Sequence, residues 1–451
     1  MEISNKEKTF NNTLLENLTN KQVIAKSIIW NLMGKLLPMG IAVFTIPFII
    51  NGFGTERFGL LTIIWMIIGY ASIFDLGLGR ALTQLLSKKL GEKDTSDLST
   101  LIWTASILLF CLGIFGSLIL VLCAKLITVN LLKVSSSYII ETINSIYILA
   151  LCIPMLFLSN AFNGLLNSFQ KFGIINLINA PLALFNYISP LIILPFTHNL
   201  AVVVFVLVMG RLITFIAYFI ACSKNIPNFT KISFKNKYIK PLINFGGWIT
   251  VSNIISPLMV SFDRFFIANS LSVSVVAFYT TPYEIIAKML LIPQSVTNVM
   301  FPAFTTELVR NRERAIRMYF KSIKYLFAIL IIPVITIVLF AKIGLSLWIN
   351  PDFAQKSYRI AQILSVGVLI NGLAFVPYSL VQAHGKSDIT AKFHLIELII
   401  YLFLLFILIN NLGIVGAAIA WFVRVIGDFF LLSFYAYKII NKETNIDAGV
   451  I

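Results

Sequence analysis

Apolar runs of about 20 residues recur along the whole chain, near 27–50, 59–80, 101–124, 142–164, 173–195, 200–222, 242–268, 274–302, 325–348, 360–383, 391–411 and 413–437. Each is long enough to cross a bilayer as a helix, and none alternates apolar and polar positions as a barrel strand would. The pattern predicts an all-α integral membrane protein with about twelve transmembrane helices, and an even count puts both termini on one side. The longest polar interruption, SKNIPNFTKISFKNKYIK from Ser223 to Lys240, parts six spans from six. The predicted organisation is an N-terminal segment 1–22, a first lobe 23–222, a linker 223–241, a second lobe 242–437 and a tail 438–451. Six is even, so the halves share one orientation, as in transporters built from parallel repeats. The stretches after the first span of each half, Glu56 to Thr62 and Ser274 to Thr280, show one identity in seven, too little to prove a repeat.

Composition sharpens the picture. Of 451 residues, 58% are hydrophobic and 12% charged, which excludes a disordered chain, a disulfide scaffold and a large soluble catalytic domain. Cys111, Cys123, Cys152 and Cys222 lie in apolar stretches without CxxC spacing, and His198, His384 and His394 are scattered, so no metal centre or cofactor is expected. A net charge of +16 would suggest nucleic acid in a soluble protein, but here it has to be sorted by loop. Of the 35 Lys and Arg, 24 fall on the side of the N-terminus, 6 on the other side and 5 inside spans, which predicts cytoplasmic termini. Residues Met1 to about Gln22 are polar and Asn/Lys-rich, unlike a cleaved signal peptide. The longest external loops, about 126–141 and 349–359, are too short for the external catalytic loop of a sugar polymerase. No P-loop, HExxH, GxSxG or CxxC signature occurs, and FDLGLGRA ends an apolar span rather than following a strand, so it is no dinucleotide fingerprint.

Ionisable residues within spans cost about 2.5–3.5 kcal/mol each on insertion scales, and so point to pairing, a cavity or a span end. Glu284 with Lys288, and Arg424 with Asp428, stand four apart, a spacing that suits either an intrahelical pair or a polar cavity. Asp263 and Arg264 lie near the external end of the seventh span, where snorkelling lowers the cost. Lys35, Arg211 and Asp75 have no opposite charge three or four residues away, so any partner comes from another helix, water or a substrate. Lys35, Arg211, Lys288 and Arg424 together are the candidate substrate-binding cations, suited to an anionic group such as pyrophosphate. Asp75, Glu284 and Asp428 are the candidate ion-coupling or gating carboxylates. Prolines inside spans, among them Pro38, Pro154, Pro257, Pro333 and Pro377, supply kinks, though proline is common in membrane helices anyway.

The segment from Asn31 to Gly91 resembles the opening of the polysaccharide repeat-unit flippases, the Wzx-type branch of the MOP (MATE-like) exporter superfamily. A proline-bearing first helix, a short turn holding Gly54, Glu56, Phe58 and Gly59, and an FDLGLGRA stretch holding Asp75, Gly77, Gly79 and Arg80 carry the likeness. FDRFFIANSLSVSVVAFY, with Asp263, Arg264 and Tyr279, resembles the second-lobe counterpart. The resemblance implies a V-shaped, two-lobed MATE-like fold in the bacterial inner membrane. It also implies flipping of undecaprenyl-pyrophosphate-linked oligosaccharide for O-antigen or capsule assembly, with H+ or Na+ coupling, polymerase or assembly proteins as partners, and neither nucleic acid nor enzymatic chemistry. Gly59, Gly77, Gly79, Arg80, Asp263 and Arg264 are motif positions that can equally be architectural. Alternatives are a MATE-like drug or metabolite antiporter, an integral-membrane polymerase and a non-transporting assembly scaffold.

Overall fold

The computed structural model describes residues 21–70, 75–94, 96–132, 134–227, 229–271 and 273–441. The N-terminal and C-terminal tails lie outside the described residues, as does the side chain of Lys35. Among the described residues there are helices and no strands. The helices are α1 (Lys21–Phe53), α2 (Thr55–Tyr70), α3 (Leu78–Gly91), α4 (Leu98–Leu126), α5 (Ile139–Ser168), α6 (Phe172–Ile193) and α7 (Leu200–Asn225), then α8 (Ile239–Ser270), α9 (Val273–Ala287), α10 (Leu291–Arg310), α11 (Arg312–Trp348), α12 (Pro351–Ala383) and α13 (Ser387–Asn441).

Their ends follow from local chemistry. Asn199, Asn311 and Asn350 cap α7, α11 and α12, their side chains accepting from Ala201, Arg314 and Phe353, and Pro351 occupies the first turn of α12. Gly54 (φ 82°) and Gly385 (φ 86°) take the left-handed turns that end α1 and α12. A straight 55-residue helix would run about 80 Å, well beyond a bilayer. α13 is therefore broken at Gly413 (φ 59°, ψ −142°) into two arms that hold the last two apolar runs.

Nine helices among the described residues are long and apolar enough to cross a membrane. Their outward surface carries large apolar side chains such as Leu122, Leu347, Phe403 and Phe434, which only lipid can cover. The chain is a multi-pass membrane protein. Within the second apolar run α2 is described as far as Tyr70, residues 71–74 lie outside the described residues, and α3 begins at Leu78 as a mostly buried amphipathic helix.

The chain forms two compact units, Met1–Gly247 and Trp248–Ile451. In the first, α5 is the hub, packed by α3, α4 and α7, while α1 lies along α6. In the second the hub is α12, packed by α9, α10, α11 and α13. These two hubs are the most buried of the apolar helices, at 56% and 61% of their most apolar stretch. Small residues allow the close approach, as expected where apolar surface gains little by leaving lipid. A Cβ on Gly113 of α4 would sit 2.6 Å from the Pro154 backbone of α5, and one on Gly367 of α12 would meet the Trp421 ring.

The polar segment after α7 is not a free tether. Trp103 donates its indole N–H to the Phe229 carbonyl (2.6 Å), Ser99 donates to the Lys231 carbonyl, and Asp97 accepts from Lys235 (2.8 Å) and Lys237 (2.5 Å). Phe229 also packs among Trp103, Phe162 and Phe219. Residues 229–238 are thereby fixed to the start of α4 in the first unit.

Candidate functional site

The FDLGLGRA stretch builds a packing corner in the first unit. Asp75 is 6% exposed; its Oδ1 accepts the Gly77 N–H (2.8 Å) and its Oδ2 accepts from Asn160 Nδ2 (3.2 Å) on α5. Gly77 takes φ 61°, which turns the chain into α3. One turn on, the Thr83 hydroxyl lies 3.0 and 2.9 Å from the carbonyls of Gly79 and Gly164. A Cβ on Gly164 would stand 2.5 Å from the Gly79 carbonyl oxygen, and one on Gly246 would stand 2.4 Å from that of Leu76. Arg80 is half-buried in the same helix. Gly59, by contrast, has open space where a Cβ would go.

Beside this corner runs a seam of amides between α5, α6 and α7. Asn163 donates to the Tyr218 hydroxyl (2.9 Å), Tyr218 donates to Asn179 (2.9 Å), and Asn167 donates to Asn163 (2.5 Å). Arg211 lies along the same helix as Tyr218, its Nη2 3.5 Å from Asn186 Oδ1 and its buried Nε without a partner. No carboxylate stands within ion-pair distance of Arg211 among the described residues. Single-charge counting missed this seam; its signal was the repeated Asn at 160, 163 and 167, which faces one side of a helix.

The second unit gathers most of its intramembrane charge in one place. Asp263 is fully buried, accepting from the Tyr279 hydroxyl (2.5 Å) and the Arg264 N–H (2.7 Å). Tyr279 stacks on Tyr283, which meets Trp421 edge-on. The spacing that suggested a Glu284–Lys288 pair is overruled by packing. Glu284 bonds Arg264 at 2.6 Å across two helices, while Lys288 stands exposed in the short 3-10 turn between α9 and α10.

Arg424 and Asp428 likewise do not close on each other. The Arg424 guanidinium lies over the Tyr401 ring (5.6 Å) with Nη1 3.6 Å from Met259 Sδ. Asp428 turns instead to His394 and Glu397 on the first arm of α13, and acceptor atoms of the three lie within 4.8 Å of one another. Among the described residues no other group of three His, Cys, Asp or Glu is gathered so tightly. Two ionised carboxylates at that separation repel by on the order of 3 kcal/mol even at an effective dielectric near 20. Neither His394 nor Glu397 stood out in the sequence. Their spacing of three inside an apolar run, HLIE, was the available signal.

The family described as "Polysaccharide biosynthesis protein" matches residues 24–308. A Shigella flexneri protein named as a candidate O-antigen transporter is 34% identical over 424 residues, covering 94% of this chain and 100% of that one. A Haloferax volcanii protein, named as a candidate flippase of low-salt glycan biosynthesis, is 27% identical over 44% of this chain and 42% of its own. Among solved structures, a MATE-family multidrug-resistance transporter of the MOP superfamily in an outward-facing conformation superimposes with a TM-score of 0.78 at 14% identity, covering 94% and 99% of the two chains. A MOP-superfamily transporter of Pyrococcus furiosus, described for the reversed polarity of its binding pocket, gives 0.78 at 16% identity over 94% and 98%. At such identities the superpositions establish a shared MATE-like helical fold.

Proposed function

The chain belongs to the polysaccharide biosynthesis protein family, and from that membership we propose that it is a flippase. Its cargo would be undecaprenyl-pyrophosphate-linked oligosaccharide repeat units, moved from the inner to the outer leaflet of the cytoplasmic membrane by alternating access. The likeness to the Shigella flexneri protein over 94% of this chain and 100% of that one is the observation that carries this reading. The products would feed O-antigen or capsule assembly beside a polymerase, with both termini in the cytoplasm.

The chemistry is compatible. A pyrophosphate needs cations, an oligosaccharide needs hydrogen-bonding groups, and a polyprenyl tail needs lipid. Arg211, in an amide-rich seam, and Arg424, over an aromatic ring, are guanidinium groups without an ion-paired carboxylate among the described residues. Such a cation inside a membrane protein is costly unless an anion visits it. Lys288 is exposed and Lys35 belongs to α1; both remain candidates in the same role. Gly77, Gly79 and Asp75 have an architectural part to play. No catalytic chemistry is proposed.

The test is deletion in the native host, with lipid-linked glycans extracted and surface polysaccharide assayed. The expected result is loss of surface polymer with repeat units accumulating on the lipid carrier at the cytoplasmic face. Unchanged polymer with new sensitivity to cationic drugs overturns the flippase reading in favour of a drug antiporter.

A further inference from the structure

His394, Glu397 and Asp428 form a cluster that the hydrogen bonding of the fold leaves unsatisfied. Glu397 is 5% exposed and His394 8% exposed. Both carboxylate oxygens of Glu397, Oδ1 of Asp428 and Nδ1 of His394 are buried without a hydrogen-bond partner. An ionised carboxylate can only accept. Two of them within 4.8 Å, with no donor between, leave lone pair facing lone pair in a medium that stabilises neither charge. Adding one proton converts one carboxylate into an O–H donor and the other into its acceptor, satisfying both with no change of backbone. That is how interacting carboxyl pairs titrate, as one unit holding a shared proton.

The groups around the pair and around Arg424 come from several packed elements. On the same arm of α13 are His394 and Tyr401; on the other arm are Arg424, one turn before Asp428, and Trp421. From α12, Tyr378 stacks on the His394 ring with 17° between the planes. From α8 comes Asp263, held by Tyr279 of α9, with Tyr283 and the Arg264–Glu284 ion pair beyond it. Arg424 interacts electrostatically with Asp263 on one side and with Glu397 and His394 on the other. It is the one cation common to the whole group among the described residues. Whatever takes the charge of Arg424 removes the counter-charge of the carboxyl pair.

We propose that Glu397 and Asp428 hold a single proton between them, with His394 as the adjoining acceptor, and that an anionic headgroup engaging Arg424 holds this proton more tightly. The sign follows from charge alone. An anion at Arg424 makes the pair harder to ionise fully, so the anion and the shared proton retain each other, and alkalinisation that strips the proton weakens anion binding. The linkage rests on the flippase reading, with the pyrophosphate as the anion; the shared proton does not. A proton carried with the headgroup would also lessen the charge that must cross low-dielectric surroundings with it.

Infrared difference spectroscopy on the full-length protein in lipid nanodiscs tests the site. The wild type should show the carbonyl stretch of a protonated carboxylic acid at neutral pH, shifted in heavy water, and Glu397→Gln and Asp428→Asn should each abolish it. Absence of the band in the wild type, or its survival in both variants, overturns the proposal. So does a band that Na+ or Zn2+ removes at constant pH, because the occupant is then a metal cation. Undecaprenyl pyrophosphate added to the same nanodiscs across a pH series tests the linkage. With the lipid bound, the band of the wild type should persist to higher pH than without it, and Arg424→Gln should show no such shift. Binding that leaves the pH of band loss unchanged overturns the linkage. A protein that shows the band but binds no lipid keeps the shared proton and overturns the flippase reading, so the two failures are distinct.

Discussion

Asp75 is the residue for which charge chemistry and architecture make opposite predictions. Its carboxylate accepts from the Gly77 N–H at 2.8 Å and from Asn160 at 3.2 Å, in a corner where a buried N–H has no water to turn to. Asp75→Ala orphans both donors, and each buried unsatisfied group costs about 1–3 kcal/mol, so the variant should lose about 2–6 kcal/mol. Asp75→Asn keeps an acceptor for Gly77 and meets Asn160 after one amide rotation, so it should stay within about 1 kcal/mol of the wild type. Thermal unfolding of purified protein in detergent, read by size-exclusion chromatography, measures both. Repeat-unit export in the deletion strain should follow stability: near normal for Asp75→Asn, lost for Asp75→Ala. A stably folded Asp75→Asn that exports nothing would refute the reasoning and return Asp75 to the ion-coupling carboxylates. Wild-type stability of Asp75→Ala would show the two hydrogen bonds to be idle.

Three further outcomes follow from the same geometry. Gly164→Ala puts a Cβ 2.5 Å from the Gly79 carbonyl and should cost about 1–3 kcal/mol by overpacking, whereas Gly59→Ala, facing open space, should leave the unfolding temperature unchanged. Tyr279→Phe removes the hydroxyl that donates to the buried Asp263 and should cost about 1.5–3 kcal/mol; equal melting curves would mean that Asp263 is satisfied without it. Hydrogen bonds from Lys235, then Lys237, hold the Asp97 carboxyl well below the ordinary carboxylate range. A depressed folded value means the tie contributes above the unfolded carboxylate range and is lost as pH falls through the folded value. Protease cleavage within 229–238 should therefore appear on strong acidification, and already at neutral pH in Asp97→Asn.

The spans were readable because a bilayer tolerates few alternatives to a long apolar helix, and the Asn and Pro signals at helix starts act within one turn. Partner choice was not readable. Spacing by four identifies neighbours on one helix, but Glu284 found Arg264 twenty residues back, and Asp428 found Glu397 across the break at Gly413. Inside a membrane an ionisable group takes whichever partner tertiary packing presents, and no local rule encodes that. The FDLGLGRA motif was visible as a motif, while its reason, a helix crossing that requires glycine at 164 and leaves little room at 79, appears only when α3 meets α5.

Arg211 separates a binding role from a structural one most cleanly, because the two predict opposite signs. A structural arginine in a membrane helix is compensated by a carboxylate or by carbonyls, and removing it leaves those groups unsatisfied. Arg211 has a single long contact to Asn186 and a buried Nε without a partner. The folded protein thus bears the desolvation of a guanidinium with little return, a cost retained where function requires it. Arg211→Gln keeps an amide that can bond Asn186 and sheds the charge. It should unfold at the same temperature as the wild type or higher, while export falls severely. Arg211→Lys restores charge without the planar fork and should recover only part of the export. If Arg211→Gln instead melts early and export declines only in step with the amount of folded protein, the guanidinium is a packing element, and the cation for the pyrophosphate must be sought elsewhere.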